Sequence, residues 1–278
     1  MVEFQVIHAD GVPALLRPAS RPGAPIVLLY HGFGHPASEQ EMAQAFPLDE
    51  LDANVAYVGL PLFGERLPPG GLDEVMDRQA RDYLRQLLMP VVDQAVNEMH
   101  MVIAEVVRRT EADRNAVALM GFSAGGVIVA AALIRNEVLV RAAVLVNTVS
   151  SPTAGVALYE RLSGTNYPWD DDAHTAALRA DLAAHATAVA TYSPPPAVLI
   201  LHGTDDEYAA PNEIRELHCA LSDAYAAHGH TGLIELRFFD HVAHNFTGAN
   251  RPADGLSPAG PLNDEASRWL SERLTPTS

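Results

Sequence analysis

The run Ala116-Val117-Ala118-Leu119-Met120-Gly121-Phe122-Ser123-Ala124-Gly125 decides the fold of this chain. Residues Ala116–Met120 are apolar on both faces, the pattern of a strand buried inside a parallel sheet. Gly125–Arg135 reads as a helix. Between the two, Gly-x-Ser-x-Gly compresses the change from strand to helix into one sharp turn. Such a turn holds its serine in a strained backbone conformation, and the flanking glycines leave room for the turn and for neighbouring chains. The Ser123 hydroxyl is therefore expected to project above a sheet at a helix N-terminus, where developing negative charge is favoured.

The same strand pattern recurs on both sides of this stretch, in Ile26–Tyr30, Val55–Leu60, Ala142–Val146 and Val198–Leu201, with a last candidate at Leu233–Phe239. Ahead of them, Phe4–Ile7 and Val12–Leu16 around Asp10-Gly11 read as a hairpin. Helical signals fall between the strands. Ser38-Glu39-Gln40-Glu41 has the form of a capping box. A long periodic stretch runs from about Asp73 to Thr110, with Pro90 the expected break. Pro211–Ala227 carries Ile214, Leu217, Leu221 and Tyr225 on one face, and Asp264–Leu274 closes the chain. Strands alternating with helices predict an α/β protein: one domain over 1–278, with a mostly parallel sheet of about eight strands and helices on both faces. Residues 148–196 break the rhythm and are expected to form a short lid insertion.

Composition narrows the function. The chain has 278 residues, 48% of them hydrophobic, which is ample for a core. Its 18 basic residues, all arginine, face 35 acidic ones, for a net charge of −17. So acidic a surface repels polyanions and argues against nucleic acid as a partner. The single cysteine, Cys219, excludes an intrachain disulfide and a multi-thiolate zinc site. The twelve histidines lack compact metal spacing such as His-Glu-x-x-His, so neither metal nor cofactor is expected. The start, Met1-Val2-Glu3-Phe4, has no basic and apolar leader, and Val127–Ile134 is too short to cross a bilayer. The expectation is a cytoplasmic protein with no membrane partner; no oligomeric state follows from the sequence.

Three further segments can join Ser123. His31-Gly32-Phe33-Gly34 follows the first buried strand, where a glycine-rich loop can offer backbone N–H groups. The Phe33 and Ala124 amides are the candidate donors to an oxyanion, and His31 is expected to brace the loop. His202-Gly203-Thr204-Asp205-Asp206 follows a late strand, where either acid can orient a histidine. Asp240-His241-Val242-Ala243-His244-Asn245-Phe246 follows the last strand and offers two candidate bases. The chain order serine, acid, histidine suits a nucleophile, an orienting acid and a general base. Asp170-Asp171-Asp172 reads as a solvated face, and Cys219 has no motif around it.

Together these motifs resemble the α/β-hydrolases over nearly the whole chain. Gly59-Leu60-Pro61-Leu62-Phe63-Gly64-Glu65-Arg66 further resembles the P-x-x-G-E-R segment of small bacterial carboxylesterases related to the prolyl-oligopeptidase-like hydrolases. The resemblance implies a cofactor-independent Ser-His-Asp hydrolase of esters. The family's His-Gly-x-x-Asp turn points to Asp206 over Asp205, and its His-x-Phe points to His244 over His241. Ala243 departs from the pattern, since relatives often carry glycine there. The chain shows no propeller-like segment, so a large oligopeptidase is not the expected model.

The resulting expectation is a carboxylesterase with Ser123, His244 and Asp206 as the triad. Small or medium acyl esters would be its substrates, because no long apolar lid helix is evident. Leu158, Leu162, Tyr167 and Trp169 are the expected apolar walls. A peptidase or amidase on the same triad, and a ligand-binding protein that has lost catalysis, remain as alternatives.

Overall fold

The computed structural model describes residues 4–246 and 259–274. Its sheet contains eight strands: β1 (Gln5–Ala9), β2 (Val12–Arg17), β3 (Ile26–Tyr30), β4 (Asn54–Val58), β5 (Val117–Phe122), β6 (Val140–Val146), β7 (Ala197–Asp205) and β8 (Ile234–Ala243). Their spatial order is β1-β2-β4-β3-β5-β6-β7-β8. The β1–β2 and β2–β4 pairs are antiparallel; every pair from β4 to β8 is parallel. This is the open, mostly parallel sheet of the α/β-hydrolase fold.

The inner strands β3 and β5 are apolar and buried at every position because both faces are covered. On β3, Ile26, Leu28 and Tyr30 enter one core while Val27 and Leu29 enter the other. The first core takes the buried faces of α3 (Met89–Thr110), α4 (Ala124–Arg135) and α8 (Pro211–Ala227). The second is closed by α1 (Glu39–Ala45) and α9 (Gly260–Leu274), with Trp269 and Leu270 fully buried. Alternation with period two thus feeds two cores from inner strands such as β3.

Several local expectations need revision. The periodic stretch after α2 (Gly71–Asp82) breaks in a π-helical segment, Tyr83–Leu88, and not at Pro90. Pro90 lies in the first turn of α3, where a missing N–H costs nothing. The break sits where the Asp82 carboxylate accepts from the Arg85 N–H and from the Tyr167 hydroxyl, competing with the backbone ladder. The capping box is half formed. Ser38 Oγ accepts from Glu41 N–H, but the Glu41 carboxylate reaches Ala37 N–H and His35 instead of its N-cap. Residues 148–196 hold α5 (Pro152–Ser163), α6 (Asp171–Leu178) and α7 (Ala186–Ala190). Asp170 of the acidic run caps α6 and pairs with Arg85.

Candidate active site

Ser123 occupies the turn between β5 and α4 with φ 53° and ψ −118°, a conformation that L-residues avoid. Its neighbours explain why it persists. A Cβ on Gly121 would stand 2.2 Å from the Gly125 carbonyl oxygen, and one on Gly125 would stand 2.3 Å from the Tyr30 carbonyl oxygen. Both glycines are therefore steric requirements of the turn. Ser123 N–H donates to the Val146 carbonyl, which fixes the turn against β6.

His244 arrives from the end of β8. With the proton on Nδ1, it donates to Asp206 Oδ2 at 2.8 Å, and the Ser123 hydroxyl donates to Nε2 at 2.9 Å. The acid-side assignment follows from chemistry, since an ionised carboxylate only accepts. Asp206 and His244 are buried. The other carboxylate oxygen, Oδ1, accepts from the Tyr208 and Ala209 amides at 2.8 and 2.9 Å, so the acid is held in one orientation. His202 donates from Nε2 to the Ala209 carbonyl and closes the same turn; burial keeps its pKa below the usual imidazole value.

Asp205 and His241 stand apart from this chain of bonds. Asp205 is exposed, and its carboxylate lies 3.6 Å from His241 Nδ1, a surface pairing. His241 falls within β8, which runs on to Ala243, past the expected end at Phe239. The His244 loop is anchored by Phe246, buried between Phe46 and Phe122 at centroid distances of 5.5 and 5.1 Å. This gives the His-x-Phe spacing a physical basis.

Phe33 and Ala124 both border the cavity over Ser123. The Ala124 amide opens α4, so it has no carbonyl one turn back to bond. The Phe33 ring stacks on Phe63 at 4.9 Å and 18°. Phe63 belongs to the segment braced by Arg66, which donates to the Gly59 carbonyl and pairs with largely buried Glu98. His31 contacts its own loop through Nδ1 and the Gly32 carbonyl at 2.7 Å, and burial lowers its pKa to about 4.

The cavity measures about 430 Å³, within the range of small-ligand sites. Part of its wall comes from Tyr83 of the π segment, from Val149 ahead of α5, and from Gly155, Leu158, Tyr159 and Leu162 of α5. Tyr83 and Tyr159 stack face to face, 5.1 Å apart. Tyr167 and Trp169 do not reach it. Tyr167 donates to Asp82, and Trp169 stacks on His174. Their expected role as walls is thereby corrected: the aromatic wall is built from Tyr83 and Tyr159.

One residue escaped the motif reading. Asn147, fully buried at the end of β6, donates from Nδ2 to the Ala243 and His244 carbonyls and accepts at Oδ1 from Gly203 N–H. It ties the acid turn to the histidine loop. The only trace in the sequence is a polar residue ending the apolar strand Ala142–Val146. Among the described residues, no helix is long and apolar enough to cross a membrane, and no cluster of three or more His, Cys, Asp or Glu is placed to hold a metal ion.

Residues 80–256 match the prolyl oligopeptidase family, nearly two thirds of the chain. Among solved structures, TT1662 from Thermus thermophilus is similar over all of both chains, at 18% identity and a TM-score of 0.70. A puromycin-hydrolyzing peptidase of Mycobacterium tuberculosis is similar at 18% identity and a TM-score of 0.69; the match covers 99% of this chain and 40% of that one. EstE1, a thermophilic carboxylesterase cloned from a metagenomic library, is similar at 20% identity and a TM-score of 0.63, over 99% of this chain and 90% of that one. The chain thus spans well under half the length of the Mycobacterium peptidase. No curated protein matches it. By the family match, the chain belongs to the prolyl oligopeptidase family, as a serine hydrolase with the α/β-hydrolase fold.

Proposed function

We propose that the chain is a carboxylesterase for uncharged esters of small or medium acyl groups. The observation that carries this reading is the cavity lining, which among the described residues includes no Asp, Glu or Arg. A peptidase acting beside a free terminus must bind an ammonium or carboxylate, and burying either without a counter-charge is costly. A neutral acyl ester brings no such penalty. The volume suits a group of a few carbons more than a long lipid chain.

In this reading His244 Nε2 takes the Ser123 proton as Oγ attacks the ester carbonyl. Asp206 holds the imidazole and stabilises the imidazolium. The Phe33 and Ala124 amides stabilise the tetrahedral oxyanion, each such donor contributing roughly 3 kcal/mol. His244 then protonates the leaving alcohol, and water repeats the sequence on the acyl-enzyme. Residues 148–196 act as the cover of the site, α5 supplying its wall.

A matched pair of substrates tests the claim: a butyrate ester and the corresponding butyramide with the same chromophore. The reading requires efficient, Ser123-dependent ester cleavage and little amide cleavage. Comparable kcat/KM on the amide, or a preference for a free amino terminus, would favour the peptidase activity instead.

A further inference from the structure

Gly155 stands out among the glycines of the helices. It lies inside α5, where glycine weakens a helix relative to alanine. The glycines at the start of α4 have an evident reason: a Cβ would strike the Tyr30 carbonyl oxygen at Gly125 and Thr148 Oγ1 at Gly126. Gly155 has no such reason. Its φ is not in the left-handed region, and a Cβ would meet Leu88 Cδ2 and the Tyr83 hydroxyl at 3.5 Å and Val149 Cγ1 at 3.6 Å, ordinary contact distances. Backbone and packing both tolerate alanine there, yet the site carries none. What Gly155 does border is the cavity over Ser123.

The chemistry fixes which part of a substrate reaches it. His244 must protonate the leaving group, so that group lies on the side of His244 and of Tyr208, whose ring packs 4.5 Å from the imidazole. The acyl substituent then takes the rest of the cavity, whose lining includes Tyr83, Val149, Gly155 and Leu158.

We propose that Gly155 is a specificity-determining position: its missing side chain opens the acyl end of the cavity and sets the longest acyl group accepted. This rests on the ester reading above for the natural substrate, but the geometry of the cavity can be probed without it. Each added carbon at residue 155 removes the room of about one methylene, which in an apolar pocket changes kcat/KM by about 10- to 200-fold.

The test compares wild type, Gly155→Ala and Gly155→Val on p-nitrophenyl acetate, butyrate and hexanoate. For Gly155→Val, hexanoate hydrolysis should fall about 30-fold while acetate stays within about threefold. Gly155→Ala should show the same trend more weakly and should melt about 2 °C higher, because a helical glycine has been replaced without a clash. A lowered melting temperature in Gly155→Ala, or an unchanged hexanoate-to-acetate ratio, overturns the proposal. The second readout is phosphonylation of Ser123 by methyl- and hexylphosphonofluoridates. There Oγ bonds to phosphorus, fluoride leaves, and His244 accepts the proton. Gly155→Ala should slow hexyl labelling selectively, and equal effects on both probes would overturn the assignment. Labelling without ester turnover in wild type would instead remove the ester reading and leave Gly155 standing on the labelling ratio.

Discussion

Replacing Asn147 by alanine is expected to loosen the triad from behind. Asn147 is not among the residues that line the cavity, yet it joins the two loops that carry Asp206 and His244. Its loss leaves Gly203 N–H and the Ala243 and His244 carbonyls without their side-chain partner. At the low end of the cost for buried unpaired groups, three of them amount to about 3 kcal/mol. Asn147 also has φ 40°, a left-handed conformation that asparagine tolerates and alanine resists by about 1 kcal/mol. The sum, about 4 kcal/mol, corresponds to a melting temperature lower by roughly 8–16 °C for a domain of this size. Turnover should fall about 100-fold, the scale expected when catalytic groups shift by about 1 Å. Calorimetry and initial rates on p-nitrophenyl butyrate read both effects. Asn147→Gly separates the contributions, because it relieves the backbone and should recover about 1 kcal/mol relative to alanine. If Asn147→Ala melts within about 2 °C of wild type and retains a third of its turnover, the tether carries no weight and the reasoning fails.

Further outcomes follow from the same geometry. Asp206→Asn should lower kcat by about 10⁴, whereas Asp205→Asn and His241→Ala should cost about tenfold or less; a large loss in either neighbour would reassign that half of the triad. His31 is held near a pKa of about 4 when folded, against 6.5 for the free side chain. The unfolded chain therefore binds more protons between those values, so stability is present above pH 6.5 and lost as pH falls toward 4, by about 3 kcal/mol in total. Near pH 5 the stability of His31→Gln should depend on pH less steeply by about 1.2 kcal/mol per unit, and an unchanged slope in urea titrations would remove the assignment. With a net charge of −17, the melting temperature should rise between low and molar NaCl as self-repulsion is screened; a flat response would show that self-repulsion does not limit stability.

How far the sequence could be read depended on whether a structural cause is local. The strands of the central sheet were visible because residues such as Ile26–Tyr30 are apolar on both faces, a property of the residues themselves. Gly121 was visible because its steric demand, the Gly125 carbonyl, falls within five residues, whereas the strand that demands Gly125, at the Tyr30 carbonyl, is remote and only the Gly-x-Ser-x-Gly motif marked that glycine. The π-helical break was not, because it depends on Asp82 meeting Tyr167, 85 residues away in sequence. Tyr167 and Trp169 were misplaced as walls for two reasons: the Tyr167 hydroxyl donates to Asp82, 85 residues away, and the Trp169 ring stacks on His174, a pairing that no motif marks. Asn147 stayed hidden because its three bonds reach Gly203, Ala243 and His244, partners that only the assembled sheet brings together.

The most direct test of the central claim is hydrolysis of p-nitrophenyl butyrate by the purified chain beside Ser123→Ala, with circular dichroism confirming that both are folded. The geometry of Ser123, His244 and Asp206 predicts steady turnover that scales with enzyme and falls by about 10⁴-fold or more in the variant. Equal rates from the two proteins would contradict the account.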